Sequence, residues 1–415
     1  MRLNEYGEAS ATASQQDTPA AFDPIQDEER YSRQVLFAGI GQLGQQRLAR
    51  AHVAIVGCGA MGAASASLLA RAGVGTLTLI DRDFVEPSNL QRQVLFDEAD
   101  ARDSVPKAAA ARRHIGRFNS SVTVHAHIAD LVPGNIAELL GGTIDGHDQP
   151  GNNNAADIIL DATDNFETRY LINDFAVQQG KPWIYAAAIG AYAATMNILP
   201  VGLQSATEQS QPASVPPTAC LACIFPKPPT GNVETCDTAG ILSTAVNLAA
   251  SIQVTEALKF LTGQPHSMRR TLLSFDLWNP DLWNPALWNP APRNPAASNS
   301  YLEHSEIATG SPRPGCEVCG QRSFTHLAGK NRPHITLCGR DSVQIHEHHR
   351  PVDFPALRAR LSTHPDVTEL RSNNLLLRFR RGPLTLSLFA DGRAIVHGTT
   401  DIVVARSLYA RFIGA

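Results

Sequence analysis

The sequence predicts an α/β fold: a mostly parallel sheet flanked by helices, followed by a small C-terminal α+β domain. Three observations carry this prediction. Through the first two-thirds of the chain, apolar strand-like runs alternate with helical runs, the order expected of parallel strands joined by crossover helices. The first of these strands breaks at a Gly-x-Gly-x-x-Gly turn. From about residue 324 the rhythm changes to short alternating strands joined by tight turns.

The bulk numbers set the frame. The chain has 415 residues, 43% hydrophobic and 18% charged, enough for two or three domains with a large core. Net charge is −4, so nucleic acid is not an expected partner. Residues 1–22 are polar and rich in Ala, Ser and Thr, which reads as a flexible tail without a secretory signal pattern. The stretch from Thr238 to Thr255 is uncharged but carries Asn247 and Gln253, so it reads as a buried helix and no membrane span is expected. Seven cysteines are too few for a disulfide-built secreted protein, and a cytoplasmic setting is expected.

The first domain, residues 23–275, contains "AHVAIVGCGAMGAASASLLARAGVGTLTLIDRD" from residue 51. Val53 to Val56 form a strand, Gly57, Gly59 and Gly62 the turn, an Ala-rich helix follows, and a second strand ends at Asp81. This is a Rossmann-like β-α-β unit. Gly57 permits the tight turn, Gly59 lets backbone approach a phosphate, and Gly62 brings helix and strand together. The helix start offers free N–H groups to an anion, and Asp81 is placed to accept ribose hydroxyls. Alone, this motif most often means a nicotinamide or flavin nucleotide.

Further strands are "SVTVHAHI", "ADIILDATDN" and "PWIYAAAIG", with the helix "FETRYLINDFAVQQG" between the last two read as amphipathic. Asp164, just past a strand end, is placed to hold a hard cation such as Mg2+; helix capping is the plainer reading of Asp161 and Asp164. Arg92 lies on a polar loop and Lys107 opens a helix after Pro106. A lysine there opposes the helix dipole unless an anion is present, so the two together suit a polyphosphate.

Cys220-x-x-Cys223 and Cys316-x-x-Cys319 form two pairs, each beside Pro or Gly. Four thiolates at this spacing predict a closed tetrahedral Zn2+ site, with an iron–sulfur cluster the weaker alternative. Residues 311–323 would thus return the chain to the main domain. Cys236, Cys58 and Cys338 are outside the pairs; the last two read as packed thiols.

The run "YSRQVLFAGIGQLGQQRL", "VAIVGCGAMG", "LIDRDFVEPSNLQRQ", "PKAAAA", "ILDATDNFETRYLINDFAVQQGKPWI", "CLACIFP", "ETCDTAGIL" and "CEVCG", in this order over roughly residues 28–323, resembles the bacterial E1-like (ubiquitin-activating-like) adenylyltransferase family. The resemblance implies an enzyme that uses ATP to adenylate the C-terminal glycine of a ubiquitin-like sulfur-carrier protein, releasing pyrophosphate. It implies that Gly57, Gly59, Gly62, Asp81, Asn89, Arg92, Lys107 and Asp164 bind the nucleotide, with Asp164 acting through Mg2+. Arg33 matches an arginine that reaches into a partner subunit, hence a homodimer. Cys236 matches a region that holds a thioester- or persulfide-forming cysteine, and a sulfur-donor protein is a further partner. Adenylation of another peptide or small-molecule carboxylate, an NAD-dependent oxidoreductase and a non-catalytic carrier-binding scaffold are the alternatives. Ala193 and Ala194 stand where the family usually has glycine or polar residues.

Two regions have no role that the resemblance assigns, although the last resembles tails fused to some bacterial members of the family. Residues 276–310 contain Leu-Trp-Asn-Pro three times at a spacing of five, which excludes a regular helix and reads as a surface insertion, most simply a tandem duplication. Residues 324–415 form the small domain. Its sequence predicts a hairpin of Leu375–Phe379 and Leu384–Phe389, a third strand in "AIVHG", and a closing helix over 400–412 with Ile402, Val403, Leu408 and Phe412 inward.

Overall fold

The computed structural model describes residues 24–141, 155–205, 213–228, 239–278, 303–329, 336–337, 342–345, 352–372, 376–389, 392 and 394–413. Cys236, Cys338, Trp283 and Trp288 lie outside these residues.

The main domain is an eight-stranded sheet. Strands β1 (His52–Val56), β2 (Thr76–Ile80), β3 (Thr123–His127), β4 (Ile158–Asp161) and β5 (Trp183–Ile189) form its parallel half in the order β3-β2-β1-β4-β5. Strand β6 (Tyr192–Ile198) returns antiparallel on β5, and β9 (Thr271–Asp276) and β10 (Glu303–Ala308) complete the edge. The short β7 (Gln204–Ser205) and β8 (Ala213–Ser214) pair with each other. In this sheet β9 ends at Asp276 before the tryptophan repeat, and β10 resumes at Glu303 after it, in register with β9. Ala193 and Ala194 are buried β6 residues paired with Ala188 and Ala187.

Helices cover both faces, starting with α1 (Pro24–Val35), α2 (Gly41–Arg50) and α3 (Ala60–Arg71). After the short α4 (Glu98–Arg102) come α5 (Lys107–Phe118) and α6 (Ile136–Leu140). Then α7 (Phe166–Gln179), the one-turn α8 (Leu221–Ile224) and the long α9 (Ser243–Leu261) complete the layers. The buried residues sort onto two faces: Val53 and Ile55 of β1 join one core, Ala54 and Val56 the other, as alternation along a doubly covered strand requires. Helix α9 packs against α3. Its buried Gln253 donates to the carbonyls of Asp161 (2.8 Å) and Ile184 (3.0 Å), tying the carboxyl end of β4 to the first residues of β5.

Helix α7 differs from the amphipathic reading. Every residue from Thr168 to Val177 is buried. One side faces the sheet core; on the other, Asp174 Oδ2 accepts from the amides of His326 (2.9 Å) and Leu327 (3.2 Å), and Tyr170 Oη donates to the Phe225 carbonyl (2.7 Å). The segments around the cysteine pairs therefore cover the face expected to meet water.

The C-terminal domain is a six-stranded antiparallel sheet. Its strands are β11 (Thr336–Leu337), β12 (Ser342–Ile345), β13 (Thr368–Ser372), β14 (Leu376–Arg381), β15 (Leu384–Phe389) and β16 (Ala394–His397), in the order β11-β12-β16-β15-β14-β13. Helices α10 (Phe354–Ser362) and α11 (Ile402–Phe412) cover one face. The hairpin turns at Gly382-Pro383, with Arg381 paired to Leu384 and Gly382 at φ +56°. Helix α11 buries Ala405, Leu408, Tyr409 and Phe412, a stripe at helical spacing. Val403 lies about 160° around the helix from Ala405 and is 75% exposed rather than inward.

Candidate active site

A cavity of about 540 Å³ opens at the carboxyl ends of β1, β2, β4 and β5, where the chain crosses from one face of the sheet to the other. Its lining includes Gly57, Gly59, Asp81, Arg92, Lys107 and Asp164, six residues drawn from five separate segments.

The glycine turn forms one wall. Gly57 has φ +92°, and a Cβ there would strike the Ala162 carbonyl, so only glycine fits between β1 and β4. A Cβ on Gly62 would strike the Gly57 carbonyl; Gly62 is a close-packing residue beneath the turn and does not line the cavity. At Gly59 the space is open, the nearest atom to a built Cβ being Gln93 Nε2 at 4.0 Å. Helix α3 starts beside it without a side-chain cap, and Ala60 and Met61 line the cavity. An anion can therefore reach the uncapped helix end.

Asp81 ends β2. Its carboxylate accepts from the amides of Cys58 (2.5 Å) and Asp83 (2.7 Å). Burial lifts its pKa above the usual carboxylate range, while Lys107 pulls it down. Lys107, only 3% exposed, sits 3.1 Å from the Asp83 carboxylate, and its amide donates to the Asp83 carbonyl (2.9 Å). A polyphosphate entering here meets a lysine already held in place. Arg92 is half-buried, its guanidinium donating to the Ser88 carbonyl (2.8 Å). Asn89 lies under that loop, buried, accepting from the Glu86 amide (3.1 Å) and outside the cavity lining.

Asp164 is exposed at the cavity edge. Neither it nor Asp161 caps the next helix: Asn165 does, accepting from the Thr168 amide (2.8 Å). Asp161 is structural, accepting from Thr163 N–H (2.9 Å) and Oγ1 (2.7 Å) and lying 3.2 Å from Arg169. Asp164 thus leaves a carboxylate facing the cavity, the oxygen donor a hard divalent cation takes. Arg33 is exposed on α1 and absent from this chain's own cavity lining.

Sequence reasoning missed Arg82, Gln93, Asp130, Arg169 and Tyr185, all of which line the cavity. Arg169 donates to the Thr163 carbonyl (2.6 Å) and lies 5.5 Å from the ring centres of Phe166 and Tyr185. Burial works against its charge, but Asp161 beside it holds its pKa above the ordinary arginine value. Arg82 is paired with Asp130 at 3.0 Å.

The four paired cysteines converge elsewhere. Their sulfurs all lie within 4.8 Å of one another, with Cys220–Cys223 at 3.8 Å, Cys220–Cys316 at 3.7 Å and Cys223–Cys319 at 3.4 Å. The sulfur–sulfur edge of a tetrahedral Zn–S₄ centre is about 3.8 Å, from metal–sulfur bonds of about 2.3 Å. The Arg313 amide points at Cys223 Sγ (3.3 Å), as a thiolate acceptor would require. The cluster can hold a metal ion.

The family model of the ThiF family matches residues 31–296. The chain is 40% identical over 388 residues to the sulfur carrier protein ThiS adenylyltransferase of Bacillus subtilis, covering 93% of this chain and 99% of that one. It is 35% identical over 261 residues to the probable adenylyltransferase/sulfurtransferase MoeZ of Mycobacterium tuberculosis, of whose length the match spans 59%. Among solved structures, E. coli MccB bound to MccA-N7isoASN superposes with a TM-score of 0.52 over 71% of this chain and 74% of that one; at 23% identity this is a likeness of fold. The fold and these matches are those of an E1-like adenylyltransferase. The chain belongs to the ThiF family.

Proposed function

We infer that the chain uses ATP to activate the C-terminal glycine of a ubiquitin-like sulfur-carrier protein as an acyl adenylate, for later sulfur transfer. One observation carries the reading: Arg92, Lys107 and Asp164 line the same cavity as the glycine turn and Asp81. A nicotinamide reading explains the glycine turn and Asp81 but gives Arg92, Lys107 and Asp164 together no role. The Bacillus relative, matched over nearly its whole length, is named for adenylation of a sulfur carrier.

The roles follow from charge. Gly57, Gly59 and the start of α3 cradle phosphate, Asp81 accepts ribose hydroxyls, and Asn89 holds the loop that presents Arg92. Lys107 and Arg92 offset the negative charge that grows on the pyrophosphate as it leaves. The glycine carboxylate attacks the α-phosphorus, forming a C–O–P link as the bond to the β-phosphate oxygen breaks. It needs no general base, being ionised at neutral pH. Asp164 is the residue that would hold Mg2+, which supplies charge neutralisation at the phosphates. Arg33 completes the site of the second subunit in a homodimer. Cys220, Cys223, Cys316 and Cys319 hold a structural Zn2+, and Cys236 takes part in the later sulfur step with a sulfur-donor protein. Free thiols of this kind suit a reducing cytoplasm.

ATP–pyrophosphate exchange tests the reading. Exchange should appear only with a carrier ending in glycine and vanish when that glycine is removed. ATP binding without exchange for any glycine-tailed carrier would refute it. Sedimentation should give twice the chain mass, and the reaction resolved without reductant should show carrier linked through Cys236.

A further inference from the structure

The C-terminal domain is unexplained by adenylation, and its sheet has an unusual burial. Residues of β14, β15 and β16 alternate between two faces. One face (Leu377, Phe379, Leu386, Leu388, Val396) packs under α10 and α11. The other carries Leu376, Phe389 and Ile395, which are also buried, at 2%, 2% and 1% exposure. What covers them is Phe84, from the main domain.

Phe84 is 3% exposed and sits among Leu376, Phe389 and Ile395, with Ile128 alongside. Arg378 stacks its guanidinium 4.7 Å from the Phe84 ring centre, and His397 meets the ring edge-on at 6.2 Å. At the same border Arg371 donates to the Arg102 carbonyl (3.0 Å). The residue before Phe84 is Asp83, which holds Lys107 in the nucleotide cavity. Phe84 also bridges Pro106 in antiparallel fashion, flanked by the Val85–Val105 and Lys107–Asp83 backbone bonds, both 2.9 Å. Ile128 precedes Ala129 and Asp130, which line the cavity on the same side.

We propose that the C-terminal domain is a clamp on the ATP site, and that Phe84 is the positioning residue through which it acts: the ring is fixed in the second sheet so that Asp83 and Lys107 are ordered before nucleotide arrives. A loop that must order on binding weakens the observed affinity by the fraction of time it is wrongly placed. Removing the clamp therefore raises the KM for ATP and spares kcat, since the bound geometry is unchanged. A residue needed only for folding would act the other way, lowering the active fraction and hence kcat at constant KM.

The proposal rests on the ATP reading for its kinetic arm alone, so the test has a second arm that needs no nucleotide. Hydrogen exchange at the Asp83 and Lys107 amides is measured in the full-length chain, together with ATP kinetics. Phe84→Ala should speed exchange at both amides and raise the ATP KM about tenfold, with Phe84→Leu restoring most of each by refilling the apolar site. Should Phe84→Ala not fold, Phe84→Leu and Arg378→Met carry the test, each raising the KM about threefold. Unchanged exchange at both amides overturns the clamp whatever the enzyme's substrate. Faster exchange in a protein that binds no ATP upholds Phe84 as the residue that orders Asp83 and Lys107 and refutes the nucleotide reading instead.

Discussion

The nucleotide cavity and the cysteine cluster are both built from distant segments, yet they solve opposite problems. The cavity is open, and its charges are held apart or in pairs that a ligand can enter: Lys107 on Asp83, Arg82 on Asp130, and Asp164 at the rim. The cluster is closed, with Cys220, Cys223 and Cys316 buried and only Cys319 partly exposed. An open charged site does chemistry because its partners are exchangeable. A closed set of thiolates has no exchangeable position and serves to tie chain to chain. Here it brings residues 220–223 beside 316–319, against α7, whose residues Thr168–Val177 are all buried.

That contrast is broken most sharply by Asp164→Ala. Removing the rim carboxylate should lower adenylate formation by about 10³, or about 4 kcal/mol of transition-state stabilisation. Bound metal at the cysteines and the melting temperature should stay as they are. Adenylate formation within tenfold of the parent would show that Asp164 is not the Mg2+ ligand.

Cys316→Ala is the reverse experiment. Elemental analysis should find one zinc per chain in the parent and none in the variant, with melting lowered on the order of 10 °C. At temperatures where the variant stays folded, the ATP KM should change less than about threefold, because no cysteine of the cluster lines the cavity. A parent protein without metal would overturn the zinc assignment.

How much of each region could be read in advance differs for a physical reason. The glycine turn, Asp81, Lys107 and Asp164 were legible because backbone geometry and helix electrostatics restrict which residues fit at fixed offsets along the chain. The cysteine pairs were legible because two C-x-x-C pairs are the spacing that a tetrahedral thiolate set needs. Arg169, Asp130 and Gln93 reach the cavity only through packing between segments, and nothing local marks them. Phe84 is the extreme case: one aromatic in "DRDFVEP", whose partners Leu376 and Ile395 lie some three hundred residues away. The amphipathic reading of α7 failed likewise, since the segments that cover its second face join it from far along the sequence.

The smallest expected effect is a response to acid at His52, a residue that belongs to neither site. His52 begins β1 and shares a 2.8 Å hydrogen bond with Thr78 Oγ1 on β2. Burial, the largest influence, pushes its pKa down to about 4 against the pull of Asp157, with His125 and Lys181 adding to the fall. The folded protein therefore favours the neutral ring. Its contribution is fully present above the unfolded value of 6.5 and is lost as pH falls toward 4. The loss should be on the order of 2 kcal/mol once partial solvent access is allowed for. Asp174, lifted to about 6 by burial, acts in the opposite sense and gains stability as pH falls through that value. The wild-type curve alone would thus hide the effect, and the comparison must be made against His52→Gln, which keeps a hydrogen-bonding group but cannot charge. Urea unfolding at pH 7.5 and pH 4.5 should show the variant losing less stability than its parent over that interval. Equal losses would mean that His52 is already solvated in the native state, and that the amino end of the sheet is looser than its burial implies.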